Sequence, residues 1–211
     1  MKRSLVYRHV LSIPVLVIIL AASAACVVFK QEYPERRSFL IDVERPGGPL
    51  VMEPLAGSVS LRPFLISQRY EKGEFVYRLS NYQYESDFYN VFFITPEDMI
   101  LSQTRDWVSE SGIFRNVLDS GSVILPDYVI EANIVSLHGD YRNPESPLAL
   151  IELQFLLVNT SKPESEVVLQ KNYVARFPIQ EREPESLVAG WNEAFSRIMT
   201  HFEKDIQMAL E

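Results

Sequence analysis

The C-terminal stretch constrains this chain most. In EPESLVAGWNEAFSRIMTHFEKDIQMAL, the apolar residues Leu187, Trp191, Ala194, Phe195, Ile198, Phe202, Ile206 and Ala209 recur at intervals of three and four. That spacing puts them on one face of a long α-helix. A stripe so wide and so aromatic needs a broad apolar surface to cover, and a β-sheet supplies one. The segments before it read as strands. In PDYVIEANIVSLHGDY, Tyr128, Ile130, Ala132 and Ile134 alternate with Glu131 and Asn133. In PLALIELQFLLVN, Ile151, Leu153, Phe155 and Leu157 alternate with Glu152 and Gln154, and EVVLQKNYVARFPI follows after the turn NTSKPESE. Period-two alternation broken by turn residues describes an antiparallel meander with one buried face.

The first half adds more strands and a second helix. RSFLIDVERP reads as a strand stopped by Pro46-Gly47-Gly48-Pro49, and SVSLRPFLIS as a strand in which Pro63 implies an edge or a bulge. EFVYRLSNYQYESDFYNVFF reads as two strands around Ser80-Asn81. TPEDMILSQTRDWVSESG changes period. Thr95 is placed to cap a helix, Pro96 to open it, Glu97 and Asp98 to favour its positive end, and Gly112 to stop it. Ile100, Thr104, Trp107 and Val108 fall on its buried face. His138-Gly139-Asp140 is expected as a turn. The expectation is one α+β domain over residues 37–211: a mixed, largely antiparallel sheet of five to seven strands with two helices packed on one face.

The N-terminus has a different anatomy. Lys2, Arg3 and Arg8 precede an apolar run, and the small residues Ala21-Ala22-Ser23-Ala24-Ala25 lead into Cys26, the single cysteine of 211 residues. A basic start, an apolar middle and a small-residue end describe an export signal. Three readings stand. Ser23-Ala24-Ala25-Cys26 resembles a lipobox, with Ser23 in place of the usual leucine; cleavage then leaves Cys26 to be acylated. Alternatively the run is an uncut anchor, since Val10 to Phe29 is long enough to span a bilayer. In the third, cleavage is ordinary secretion. One thiol makes no internal disulfide, and acylation would remove a free thiol from an oxidising compartment. Residues 1–25 are thus expected as a lipoprotein-type signal and 26–36 as anchor and tether, KQEYPER being polar and proline-bearing. Two or three acyl chains would hold the protein firmly at a membrane. Val27 and Val28, where an aspartate would signal inner-membrane retention in enteric-type lipoproteins, favour the outer membrane over the inner.

Charge and motif content narrow the function further. Removing residues 1–25 takes away three basic side chains and no acid, so the net charge moves from −8 to −11. Such a surface suits neither nucleic acid nor adhesion to anionic lipid by charge. The three histidines, His9, His138 and His201, have no metal-ligand spacing; there is no G-x-S-x-G elbow and no P-loop. The chain is therefore expected to have no catalytic residue, no metal and no cofactor. The aromatic block Phe75 to Phe93 can be read as core filling, or as an apolar surface for lipid or a partner with Tyr82, Tyr84 and Tyr89 as contacts.

The run FVYRLSNYQYESDFYNVFFITPEDMI, then a helix, then SGIFRNVLDSGSVILPDYVIEANIVSL, resembles the ABC-type transport auxiliary lipoprotein family, the PqiC/YmbA-like proteins. The likeness is carried by Tyr77-Arg78, Tyr82, Tyr84 and Tyr89, by Ser111-Gly112-Ile113-Phe114-Arg115 with Val117, and by Asp127-Tyr128 with Ile130 and Ile134. It spans roughly residues 36–210. Val91-Phe92-Phe93 stands where members usually carry a tryptophan, and Ala132 where glycine is common. The resemblance implies a periplasmic lipoprotein that docks an MCE-type lipid transport system at the outer membrane. Its partners would be an MCE-domain protein and an ABC permease and ATPase, with self-association also compatible. The same signature resembles TolB-like N-terminal domains, which implies instead a scaffold for envelope assembly or secretion.

Overall fold

The computed structural model describes residues 34–211, and Glu35–Glu211 form one compact unit. Eleven elements follow in order: β1 (Arg37–Phe39), β2 (Ala56–Leu61), β3 (Leu65–Ile66), β4 (Glu74–Arg78), β5 (Tyr84–Phe92), α1 (Pro96–Ser111), β6 (Phe114–Leu118), β7 (Tyr128–Asp140), β8 (Leu148–Asn159), β9 (Glu166–Pro178) and α2 (Pro184–Leu210). The class is the expected one, α+β with two helices and a large, mostly antiparallel sheet.

β7 organises that sheet. On one side it pairs antiparallel with β8 along its whole length, and β8 pairs in the same way with β9. On the other side β2, β3 and β4 each take a short stretch of β7, all parallel. β6 then lies parallel to β2, β5 antiparallel to β4, and β1 parallel to β5.

The sheet has nine strands rather than five to seven, for two physical reasons. Pro63 has no N–H to give, so the expected single strand breaks into β2 and β3. The chain re-engages β7 on either side, through Arg62 N–H to Ile130 O and Ser67 N–H to Ile134 O. β6 was not expected as a strand. It forms because Gly112 turns the chain back in the left-handed region at φ 71°, dropping Ile113 and Phe114 into the core beside β2. The strand expected over residues 37–46 pairs only as far as Phe39. Beyond it the backbone is held by helix side chains: Ile41 N–H meets Met99 Sδ, Val43 N–H meets Gln103 Oε1, and Asp42 N–H meets Asn192 Oδ1.

One face of the sheet is covered by the helices. Ile130, Ile134, Ile151, Leu153, Phe155 and Leu157 are fully buried, and onto them α2 lays Leu187, Trp191, Phe195, Ile198, Phe202 and Ile206. Phe155 and Phe202 stack with centroids 4.0 Å apart. Each such side chain contributes roughly 1.5–3 kcal/mol on burial. Ala209, expected on this face, is exposed in the last turn. α2 comes so close at Gly190 that a Cβ there would lie 2.7 Å from both Ala149 Cβ and Ile179 Cγ2.

α1 has the expected ends. Thr95 accepts from Asp98 N–H at its start. Its buried residues include Ile100, Thr104, Trp107 and Val108. The two helices and the β1–β2 connection meet at one buried charge group. Glu203 Oε2 accepts from Arg45 Nε and from Trp107 Nε1, each at 2.8 Å, and Arg45 also donates to Gly48 O.

Candidate functional site

The aromatic block splits between core and surface. Phe75 and Phe92 pack edge-on and tilted against Trp191 at 4.9 and 5.3 Å. Phe88 and Phe93 instead stand 61% and 70% exposed, with their sequence neighbours Tyr89 and Ile94, and Leu40 after β1, also exposed. A local device produces this. β5 pairs Phe75 with Asp87 but Glu74 with Val91, so Phe88, Tyr89 and Asn90 bulge out of the ladder with β4. Asp87 holds the bulge. Its Oδ1 accepts from the N–H groups of Tyr89 and Asn90, and its Oδ2 accepts from Asn90 Nδ2 at 2.6 Å and Tyr77 OH at 2.7 Å. Burial opposes ionisation of Asp87, but these hydrogen bonds outweigh it and hold the carboxyl below its ordinary value. Burial, and then the Asp87 carboxylate, push the Tyr77 hydroxyl far up, so it stays a donor.

The bulge lies beside β1, the first strand of the domain. Arg37 pairs with Asn90 and donates from Nε to its Oδ1, while Arg36 lies over the Phe88 ring at 5.3 Å. Phe93 N–H donates to Phe39 O, which brings Leu40 and Phe93 together at the same sheet edge. The result is an exposed apolar edge running along β1 and β5 and fringed by Arg36 and Arg37. A second exposed apolar segment, Val123-Ile124-Leu125, lies between β6 and β7, with Val123 97% and Leu125 89% exposed. Soluble surfaces rarely carry several such residues in a row without a partner.

The three expected contact tyrosines do not form one patch. Tyr82 is 97% exposed at the β4–β5 turn. Tyr89 is partly exposed in the bulge, edge-on to Phe88. Tyr84 is half-buried. Arg69 and Arg78 each lie over its ring at 5.6 Å, and it meets His138 edge-on. Cys26 lies outside the described residues.

His138-Gly139-Asp140 is not the expected turn. It completes β7, because Gly139 and Asp140 are paired on both sides, with β8 and with β4. His138 is 2% exposed; its Nδ1 lies 3.1 Å from Tyr70 OH. Burial, opposed by Asp140 and aided by Arg78, Arg69 and Arg142, lowers its pKa to about 4, so the ring is neutral at pH 7. Asp140 is engaged by Arg142, whose hydrogen bonds hold its carboxyl below the ordinary value. His201 is exposed on α2. Among the described residues no group of three or more His, Cys, Asp or Glu side chains converges to hold a metal, and no helix is long and apolar enough to cross a membrane.

No protein-family model and no curated protein matches this chain. Solved structures do. Protein XCC0632 from Xanthomonas campestris, of the family model DUF330, superposes with a TM-score of 0.65 at 17% identity, over 83% of this chain and 93% of that one. A second structure, of an uncharacterized protein, gives 0.62 at 10% identity over 82% and 99%. Lipoprotein GNA1162 from Neisseria meningitidis gives 0.38 at 12% identity over 69% and 99%. The chain shares its fold with the first two over nearly their full length.

Proposed function

We propose that this chain is a non-catalytic, membrane-anchored lipoprotein of the bacterial envelope. It serves as the docking component of an ABC/MCE-type lipid transport system on the periplasmic side. Cys26, acylated, is the anchor, and the outer membrane is the favoured site. The reading is supported by the lipobox-like Ser23-Ala24-Ala25-Cys26, by the resemblance to transport auxiliary lipoproteins, and by a fold like that of the DUF330 protein.

One observation carries it: the exposed aromatic edge of Phe88, Tyr89, Phe93 and Leu40 lies along β5 and its partner β1, the strand that follows the tether directly. An extended tether over residues 26–36 reaches at most about 40 Å. The edge thus works close to the anchoring membrane, where aromatic and arginine side chains suit both an interface and a partner. Its role is to hold a membrane-proximal partner, and the work of moving lipid falls to that partner.

The test is co-purification of the tagged full chain from its own membranes, wild type against a Phe88→Ser/Phe93→Ser variant. Both side chains are exposed, so the variant should unfold within about 1 kcal/mol of wild type, about 0.5 for each substitution. Wild type should bring down an ABC permease, an ATPase and an MCE protein, and the variant should lose them. Enrichment of secretion or outer-membrane assembly proteins instead would contradict the transport role.

A further inference from the structure

β9 is an edge strand. Among the described residues it pairs with β8 on one side and with no strand on the other. Along that open side runs a groove of about 720 Å³ between β9 and α2. Its β9 wall is six consecutive residues, Lys171 to Arg176. A strand shows alternate residues to a face and consecutive ones only along its edge, so the groove exposes the backbone edge itself. Long, open edges are normally blunted by proline, bulges, covering segments or charged side chains, because their unpaired N–H and C=O groups template further pairing; the charges on this edge, Lys171 and Arg176, repel a basic strand and not an acidic one. Here the single register shift lies at Leu157/Val158 opposite the strand's beginning, and the proline stands at its last residue, Pro178.

The groove is cationic in an acidic protein. Lys171 and Arg176 come from β9, and Arg197 and Lys204 from α2. Asp205, the acid of the groove, is already engaged by Lys171 and by Tyr173 OH, at 2.7 and 2.6 Å. Arg176, Arg197 and Lys204 join no ion pair among the described residues. Val174 and Met208 add exposed apolar surface to the same walls.

We propose that this edge is a docking site for an extended acidic segment of a partner polypeptide, added antiparallel or parallel to β9 as a further strand. Main-chain hydrogen bonds to the open edge supply the affinity. Alternate carboxylate side chains on the α2 side, meeting Arg197 and Lys204, supply the selection, and the intervening side chains pass Val174 and Arg176 on the other face. A second copy of this chain is disfavoured, because β9 against β9 would set the cationic groove against itself. A lipid headgroup would satisfy the charges and leave the backbone edge unused. The inference concerns a different surface from the aromatic edge and does not depend on the transport reading.

The experiment uses the full chain in neutral detergent micelles and a labelled peptide of about ten residues alternating Val and Glu, long enough for one strand, followed by fluorescence anisotropy. Binding should weaken at least about tenfold with Arg197→Glu/Lys204→Glu. It should weaken similarly for the same peptide N-methylated at alternate residues, which keeps its charge and loses its ladder. A Val/Lys peptide should not bind. Equal binding of the N-methylated peptide would overturn strand addition. So would saturation of the groove by short-chain phosphatidylglycerol with no peptide binding. Concentration-dependent dimers abolished by Arg197→Glu would overturn it as well.

Discussion

Replacing Glu203 by leucine isolates the buried charge group that ties the β1–β2 connection to both helices. The side chains of Arg45 and Glu203 are 3% and 8% exposed. Loss of the carboxylate leaves the Arg45 guanidinium buried with only Gly48 O among its bonded partners, and leaves Trp107 Nε1–H without one. Breaking a buried ion pair by removing one partner costs about 3–5 kcal/mol. For a domain of this size each kcal/mol lowers the melting temperature by about 2–4 °C, so Glu203→Leu should melt about 6–20 °C below wild type. The discriminating variant is Arg45→Met/Glu203→Leu. It removes the stranded charge and retains only the unpaired indole N–H, a penalty of about 1–3 kcal/mol. Thermal unfolding followed by circular dichroism should therefore place the double variant above the single. If the double variant melts lower than Glu203→Leu, the charge group is not the source of the stability.

Two further outcomes are expected. His138 has a folded pKa near 4 against about 6.5 unfolded, so between these values the unfolded chain binds more protons and stability falls as pH drops. The groups facing it are Tyr70, Tyr84, Asp140, Arg69, Arg78 and Arg142. Urea unfolding should lose up to about 3 kcal/mol from pH 7 to pH 4, and His138→Leu should flatten that portion of the profile; an unchanged profile would refute the assignment. Tyr82→Ser should leave the melting temperature within a degree or two, because the ring is in solvent. Tyr84→Ser should lower it by several degrees, because its ring covers His138; equal effects would show that the two tyrosines share one environment.

Elements with local signals were legible in the sequence. α1 carried its own cap, proline and stop glycine, and α2 its own stripe, so neither depended on distant residues for recognition. The meander β7–β8–β9 was legible because one face is buried and apolar residues alternate over most of each strand, interrupted by one register shift in each ladder. The features missed depend on non-local pairing. β6 exists because β2 offers an edge, and the His138 stretch remains a strand because β4 and β8 reach it from both sides. The bulge that exposes Phe88 and Tyr89 did have a signal: in Ser-Asp-Phe-Tyr-Asn, an aspartate two and three residues before the N–H groups it caps. That β9 is an edge lay beyond the sequence, although Lys171 and Arg176 within a strand are the residue type that edges carry.

The intact mass of the protein purified from bacterial membranes, wild type against Cys26→Ala, tests the proposed anchor most directly. The expected result is a wild-type chain that begins at Cys26 and carries added acyl mass, with a Cys26→Ala chain that carries none. A mass equal to the whole uncut chain would contradict the lipoprotein assignment and make Val10 to Phe29 the anchor.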